Sequence, residues 1–195
     1  MNDDLSPIIE SVCQQIESGN LADAARIISA EYPFHPVQRS TRQTSLPTVT
    51  RIFLRDGFID RYRGTRLIFP PVLRLISHYF PGEFPYHKNS KMSEGHMAYW
   101  ELFPTVDHIL PVARGGLDRE ENLVCCSMLT NSIKSNWTLE QLQWQLYPPG
   151  HVQEWDGMLQ WFIRYVQTEP KLLTIPYIKR WHTAALSTIP NLMST

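Results

Sequence analysis

Apolar positions recur at helical spacing near both ends of the chain. From Ser6 to Ala30 the pattern predicts two short helices, with a break at Gly19-Asn20. Towards the other end, apolar residues three to four positions apart predict a helix from His151 to Gln167, and a last helix covers Pro176 to Leu186. A capping-box pattern predicts a further helix from Thr138 to Leu146. We expect the aromatic stripes of these helices to form packing core.

In the middle of the chain the spacing of apolar residues is less regular. Apolar residues from Thr48 to Ile59 predict a helix followed by a turn at Asp56-Gly57. From Pro70 to Pro104 the chain is rich in proline and aromatic residues, so we expect irregular structure there, with one short helix from Val72 to His78.

A different order of elements is predicted between residues 103 and 136. The β-branched and apolar run from Thr105 to Leu110 predicts a strand, and Leu123 to Cys126 predicts a second one. Between them we expect a loop in which Asp118 caps a single helical turn. Ser127 is expected to cap a helix from Met128 to Ser135. The result is strand, loop, strand, helix.

Composition places the chain among globular proteins. It has 195 residues, of which 43% are hydrophobic and 19% are charged. No run approaches the ~20 apolar residues that span a membrane, so we expect no membrane contact. The acidic start, without a signal-peptide pattern, and three cysteines with no CxxC pair indicate a cytoplasmic protein without a disulfide framework.

The charge is unevenly distributed, although the formal net charge is only -1. The segment from Pro36 to Lys91 contains ten basic and three acidic residues. Charge segregated in this way can present a phosphate-attracting face, while the alternative is a solvated surface segment that is Arg-rich by chance. The candidate phosphate contacts are Arg61, Arg63, Arg66, Arg114 and Lys134.

Three residues of the predicted strand and helix suit phosphodiester hydrolysis. That reaction needs a base for water and a cation that neutralises charge on the phosphorus oxygens. Imidazole is a suitable base, and a carboxylate with an amide oxygen holds a hard cation. Asp107, His108 and Asn131 supply this set, provided that the adjacent Asp107 and His108 share one site at the strand end, where alternation relaxes. Lys134, one turn beyond Asn131, is placed to contact phosphate.

These residues resemble the signature of the HNH endonuclease family, also called His-Me finger nucleases. The matching elements are Val106 to Pro111, Gly115-Gly116, Asn122-Leu123, and Asn131 with Lys134. They cover about 30 of the 195 residues, and His108 precedes Asn122 by 14 and Asn131 by 23 positions, as in the family. Five separated elements in one order are far more specific than a lone histidine.

The resemblance implies roles for individual residues. His108 is expected to be the general base, and Asp107 and Asn131 are expected to bind one divalent metal. We expect this metal to be Mg²⁺, for which Mn²⁺ or Ni²⁺ can substitute. Asn122 is expected to orient the base and brace the loop, and Lys134 matches the lysine on the family's helix. The expected products carry a 5′-phosphate and a 3′-hydroxyl.

The fold class implied is α+β, with a ββα-metal core and helical additions at both ends. We expect N-terminal helices over residues 1–35, and an Arg-, Pro- and aromatic-rich segment over 36–100 that packs on the core. The HNH motif spans 101–137, and C-terminal helices span 138–195.

The chain departs from many members of the family, which bind a structural zinc through two CxxC pairs. Arg55-Asp56-Gly57 and Tyr62 with Gly64 are retained, but the four thiolate positions are occupied by Asp60, Arg63, Ser127 and Thr130. We therefore expect no structural zinc. Polar contacts among these four residues are expected to join the two segments instead.

The sequence leaves three functions open. The first is a DNA endonuclease that nicks as a monomer or cuts both strands as a homodimer. The second is an RNase or toxin that uses the same site, because metal and phosphate do not distinguish the sugars. The third is a DNA-binding module without turnover.

Overall fold

The computed structural model describes residues 4–34 and 45–188. Arg39 and Arg42, which contribute to the basic segment, lie outside the described residues. The chain divides into two units, residues 1–39 and residues 40–195. The described residues form helices and one small antiparallel sheet, so the predicted α+β class is confirmed at this level.

The first unit contains a pair of helices, as predicted. Helix α1 spans Ser6–Glu17 and helix α2 spans Leu21–Glu31. Gly19 lies between them with a φ of 75°, a left-handed conformation that glycine adopts without strain. Val12 and Ala24 are buried within this unit.

The second unit has seven further helices and two strands among its described residues. In chain order these are α3 (Leu46–Arg55), α4 (Pro70–Tyr79), α5 (Ala98–Glu101), β1 (Pro104–His108), β2 (Leu123–Ser127), α6 (Met128–Lys134), α7 (Leu139–Leu142), α8 (Leu159–Thr168) and α9 (Pro176–Thr188). Short 3₁₀ turns lie at Val112–Arg114, Glu120–Asn122 and Pro170–Thr174.

Aromatic side chains form the centre of the second unit. The Phe69 ring meets the rings of Phe58, Phe162 and Trp181 at centroid distances of 6.0, 5.4 and 5.4 Å, each close to perpendicular. This edge-to-face arrangement is favoured by the ring quadrupoles. Val106 of β1 packs against the same core, which fixes the sheet to the helices.

The two strands and α6 have the predicted order. Strands β1 and β2 pair antiparallel, with Pro104 opposite Ser127 and His108 opposite Leu123. Helix α6 begins directly after β2, where the Ser127 hydroxyl accepts the backbone N–H of Thr130 at 3.0 Å. The predicted cap is therefore confirmed, and α6 is held against the sheet from its first turn.

Two buried carboxylates attach the segment after α3 to β2. Asp56 Oδ2 accepts the backbone N–H of Cys125 at 2.8 Å, and Asp60 Oδ2 accepts that of Ser127 at 3.0 Å. Between them, the backbone N–H of Arg61 donates to the Cys125 carbonyl at 2.9 Å. These bonds use the side of β2 that does not pair with β1, so the segment fixes the strand in place.

The loop between the strands differs from the prediction at two points. Strand β1 ends at His108 rather than at Leu110, because the backbone N–H of Leu110 donates to the Asn122 side chain at 2.9 Å. A helical turn is present at Glu120–Asn122, but Arg119 precedes it and no side chain caps it. The predicted cap by Asp118 is wrong.

The predicted helix over 151–167 is wrong in its first half, because α8 begins only at Leu159. The Asp156 carboxylate accepts the backbone N–H groups of Met158 and Gln160 at 3.0 and 2.9 Å, which starts the helix there. Gly157 and Met158 also have φ values of 67° and 68°, which no α-helix continues through.

Two other predicted helices and one predicted irregular segment need smaller corrections. Helix α7 has the predicted capping box but ends at Leu142, because Gln143 adopts a left-handed φ of 57°. Helix α4 is longer than predicted at both ends, and the short α5 lies in the segment predicted to be irregular.

Candidate active site

Asp107 and His108 occupy the last two positions of β1 and have different surroundings. Both residues remain paired with β2, opposite Val124 and Leu123. Because alternation therefore persists to the strand end, their side chains leave opposite faces of the sheet. The predicted relaxation at this point is wrong, and the two side chains have separate partners.

The Asp107 carboxylate is buried and held by two donors. Its Oδ2 accepts the Tyr62 hydroxyl at 2.7 Å and lies 2.8 Å from the ammonium nitrogen of Lys134. Burial, and then the charge of Asp107, raise the pKa of Tyr62 well above its usual range, so the phenol stays protonated and donates. The carboxylate is thereby charge-paired inside the protein.

Lys134 does not lie where the resemblance places it. Its side chain is fully buried, and its ammonium also donates to the His108 carbonyl at 2.7 Å. The ammonium lies 5.6 Å from the centre of the Tyr62 ring, within cation–π range. In this arrangement Lys134 fixes the end of β1 to α6, and a phosphate at the surface does not reach it.

The His108 ring has an acidic partner from the loop. Its Nε2 lies 2.9 Å from Asp118 Oδ1. Only 6% of the His108 side chain is exposed, compared with 43% of that of Asp118. The pair therefore joins a nearly buried imidazole to a carboxylate that reaches solvent.

Asn122 braces the loop that carries this carboxylate. Its Oδ1 accepts the Leu110 N–H, and its Nδ2 donates to the carbonyls of Leu110 and Leu117 at 3.0 and 2.9 Å. A Cβ atom on Gly116 would lie 1.9 Å from the Leu110 carbonyl oxygen and 2.9 Å from Asn122 Nδ2. Only glycine fits there. Of the two roles implied for Asn122, these contacts fit loop bracing, and Asp118 is the ring's partner.

Asn131 faces the sheet from α6. Its Nδ2 donates to the Thr105 hydroxyl at 3.0 Å. Thr105 and Asp107 lie on the same face of β1, two residues and therefore about 7 Å apart along the strand. The structure brings Asn131 and Asp107 to one face of the sheet.

Asp107 and Asn131 retain oxygens that suit a divalent cation. Both hydrogen bonds to the Asp107 carboxylate end on Oδ2, and Asn131 uses only its nitrogen. The remaining carboxylate and amide oxygens are hard donors of the type that Mg²⁺ binds. No cluster of three or more His, Cys, Asp or Glu side chains within residues 4–34 and 45–188 is arranged to hold a metal ion. A cation here would need water or phosphate oxygens as further ligands.

Polar contacts replace the thiolate pattern at three of its four positions. Asp60 Oδ2 accepts the Thr130 hydroxyl at 2.7 Å as well as the Ser127 N–H, and the Ser127 and Thr130 hydroxyls lie 2.7 Å apart. All three residues are buried. The side chain of Arg63 is exposed and takes no part, so the expectation is wrong for that residue.

The candidate phosphate contacts fall into two groups. Arg61 is largely buried and bonded to Asp56 at 3.0 Å and to the Tyr147 carbonyl, so its role is structural. Arg63, Arg66 and Arg114 are exposed. The Arg66 guanidinium also lies 5.2 Å above the Trp155 ring.

Sequence reasoning missed three partners of the candidate residues. They are Tyr62, Asp118 and Thr105, which bond Asp107, His108 and Asn131 respectively. The sequence contains a signal for Asp118, because an acidic residue in a short loop beside a strand-end histidine can form a hydrogen bond with the imidazole. The pattern has no comparable signal for the other two.

In comparisons with known proteins, no family model, no curated protein and no solved structure matches the chain significantly. Across the part of the chain that the structure describes, every helix is too short or too polar to cross a membrane.

Proposed function

We propose that the protein is a metal-dependent endonuclease of the HNH type that hydrolyses phosphodiester bonds in DNA. The observation that carries this proposal is the pairing of the His108 imidazole with Asp118, 2.9 Å away, at the end of a strand that α6 and the Asn122-braced loop enclose. An imidazole with a carboxylate partner is the arrangement that general-base catalysis uses.

His108 acts as the base in this proposal. When Nε2–H donates to Asp118, Nδ1 carries the free lone pair. Nδ1 then takes the proton of the attacking water, and the Asp118 carboxylate stabilises the resulting imidazolium. Asn122 keeps Asp118 in reach because it bonds the backbone on both sides of the loop tip.

Asp107 and Asn131 are the residues that would hold the divalent cation. Because the strand register leaves the side chains of Asp107 and His108 on opposite faces, His108 acts on the same phosphate only if its ring turns past the end of β1. When bound, such a cation neutralises charge on the phosphate and helps the leaving oxygen to depart. The Lys134 ammonium lies 2.8 Å from the same carboxylate and holds it in place at the strand end. The exposed Arg63, Arg66 and Arg114 supply phosphate contacts for the strand that is cut.

Cleavage of a supercoiled plasmid in Mg²⁺ tests the proposal. We expect nicked or linear product with the native chain, and none with His108→Ala or after chelation by EDTA. Asp118→Asn is expected to slow cleavage without changing the thermal midpoint. Absence of cleavage in Mg²⁺, Mn²⁺ and Ni²⁺ would contradict the proposal. Structured RNA in place of the plasmid tests the alternative of an RNase.

One observation favours a second candidate, a DNA-binding module without turnover. The Lys134 ammonium already neutralises the Asp107 carboxylate, and a cation in that place competes with it. This candidate predicts that DNA is bound with a salt-dependent affinity while all three metals leave the plasmid intact.

A further inference from the structure

A cavity lies in the second unit, on residues that the proposed nuclease does not use. It encloses about 270 Å³ between α4, α9 and the segment from Pro81 to Tyr86. Its lining residues are Arg74, Ser77, His78, Pro81, Pro85, Tyr86, Ile175, Tyr177 and Ile178. The volume is close to the lower limit of small-molecule sites, about 300 Å³.

The guanidinium of Arg74 lies between two aromatic rings of this cavity. Its central carbon is 3.4 Å from the centre of the Tyr86 ring and 5.2 Å from that of Tyr177. Both distances are within cation–π range, and the N–H groups of the guanidinium remain available for hydrogen bonds. A guanidinium edge presents donors in the fork geometry that matches an oxyanion.

One donor on this edge has no partner. Nη1 of Arg74 is buried, and it has no hydrogen-bond acceptor among the described residues. Arg74 also forms no ion pair with a described acidic residue. Buried polar groups are almost always bonded, and a buried charge is almost always paired. Nη1 therefore needs an acceptor, and because it belongs to a cation, an anionic acceptor gives the stronger, charge-assisted hydrogen bond.

The rest of the lining indicates the kind of anion. No acidic side chain lines the cavity, whereas His78 and the tyrosine hydroxyls offer further donors. Burial raises the pKa of Tyr177 above its usual range, so its hydroxyl stays a donor. A phosphate has more acceptor oxygens than a carboxylate and satisfies more of these donors at once.

We propose that this cavity binds the phosphate group of a small ligand, with the edge of Arg74 as its main contact. The phosphate comes either from a free mononucleotide or from the 5′ end of a nucleic-acid strand. The site is independent of the nuclease proposal, since none of its lining residues belongs to the candidate active site.

Calorimetric titration of the full chain with inorganic phosphate, AMP and adenosine tests the proposal. We expect phosphate and AMP to bind and adenosine to bind much more weakly. Arg74→Gln is expected to weaken AMP binding by on the order of 10- to 100-fold, because a charge-assisted hydrogen bond is lost. Arg164→Gln, an exposed arginine at a different surface depression, is the matched control and keeps native affinity.

Two further measurements separate a loss of binding from a loss of folding and identify the source of the phosphate. His78→Ala changes an exposed residue of the lining and is expected to weaken AMP binding several-fold with an unchanged thermal midpoint. A 5′-phosphorylated oligonucleotide that competes with AMP, while its unphosphorylated form does not, identifies a strand end as the ligand. Failure of both phosphate and AMP to bind, or equal affinity in Arg74→Gln and the native chain, overturns the proposal. His108→Ala leaves this binding unchanged, which separates it from nuclease failure.

Discussion

Lys134 and Asp107 form an ion pair inside the protein, with 2.8 Å between the ammonium nitrogen and Oδ2. The Lys134 side chain is fully buried and that of Asp107 is 7% exposed. Such a pair contributes little relative to an apolar replacement of both residues, but the loss of one partner leaves an uncompensated charge. The end of β1 therefore depends on keeping both residues.

Lys134→Met is expected to lower the free energy of unfolding by about 3–5 kcal/mol, because it leaves the Asp107 carboxylate buried and unpaired. Urea denaturation measures this loss. The double variant with Asp107→Asn is the control, and we expect it to recover part of the stability. If Lys134→Met alone unfolds within about 0.5 kcal/mol of the native chain, the buried ion pair is not formed in solution.

Asp60→Ala is expected to destabilise the protein by about 3 kcal/mol or more. The substitution removes the acceptor of the Ser127 N–H and the Thr130 hydroxyl, both of which stay buried. Arg63→Ala is the matched control, because Arg63 occupies an equivalent position of the thiolate pattern but is exposed. Thermal unfolding compares the two. Equal midpoints would show that the Asp60 contacts do not join the segments.

Gly116→Ala tests the close approach in the loop. The added Cβ collides with the Leu110 carbonyl, so the loop must shift, and we expect a loss of about 1–3 kcal/mol together with a loss of plasmid cleavage. Gly82→Ala adds a Cβ in open space and is expected to leave both properties unchanged. Cleavage and urea denaturation are measured on the same preparations. Native activity in Gly116→Ala would mean that the loop does not need this approach.

Stability is expected to fall in alkaline solution. Burial raises the pKa of both Cys125 and Cys126 well above the ordinary value of 9.0, so these thiols ionise only in the unfolded chain. The unfolded state then binds fewer protons, and the free energy of unfolding falls as the pH rises past 9.0, by up to about 1.4 kcal/mol per pH unit for each thiol.

Urea denaturation from about pH 8 to about pH 10, with a reducing agent, measures this slope. The Cys126→Ala variant is expected to show about half of this slope, because only one buried thiol remains. At the upper end Tyr62 adds to the fall, because its raised pKa also keeps it protonated only in the folded state. A flat profile would contradict the burial of the thiols.

Local signals predicted the elements around the site well. The β-branched run before Pro111 and the hydroxyl of Ser127 act within a few residues, and both strands and α6 are present in the predicted order, although β1 ends two residues early. The predicted helix over 151–167 is wrong in its first half, and the cause is again an interaction between residues close in sequence. Its apolar spacing is helical, but the side chain of Asp156 bonds the backbone ahead of Leu159 and starts the helix late.

The contacts within the site were less predictable, because they join residues far apart in sequence. Lysine is rarely fully buried, so the sequence predicts Lys134 at the surface, in reach of phosphate. Its burial depends on Asp107 and the His108 carbonyl, which lie 27 and 26 positions before it in the sequence. The ring partner of His108 depends on a loop shape that Asn122 imposes. Residue types and spacing select the candidate residues, but only the folded loop and sheet assign their partners.

The carboxylates of Asp56 and Asp60 have a further consequence for how molecules of this protein behave together. A strand with free N–H groups along one edge is a template for intermolecular pairing, and Leu123–Ser127 is a short, apolar and uncharged one. The two aspartates accept the outward N–H groups of Cys125 and Ser127, and the Glu120 carbonyl accepts that of Leu123, so this edge is closed to a neighbouring molecule. A strand edge of the kind at which intermolecular pairing begins is thereby closed.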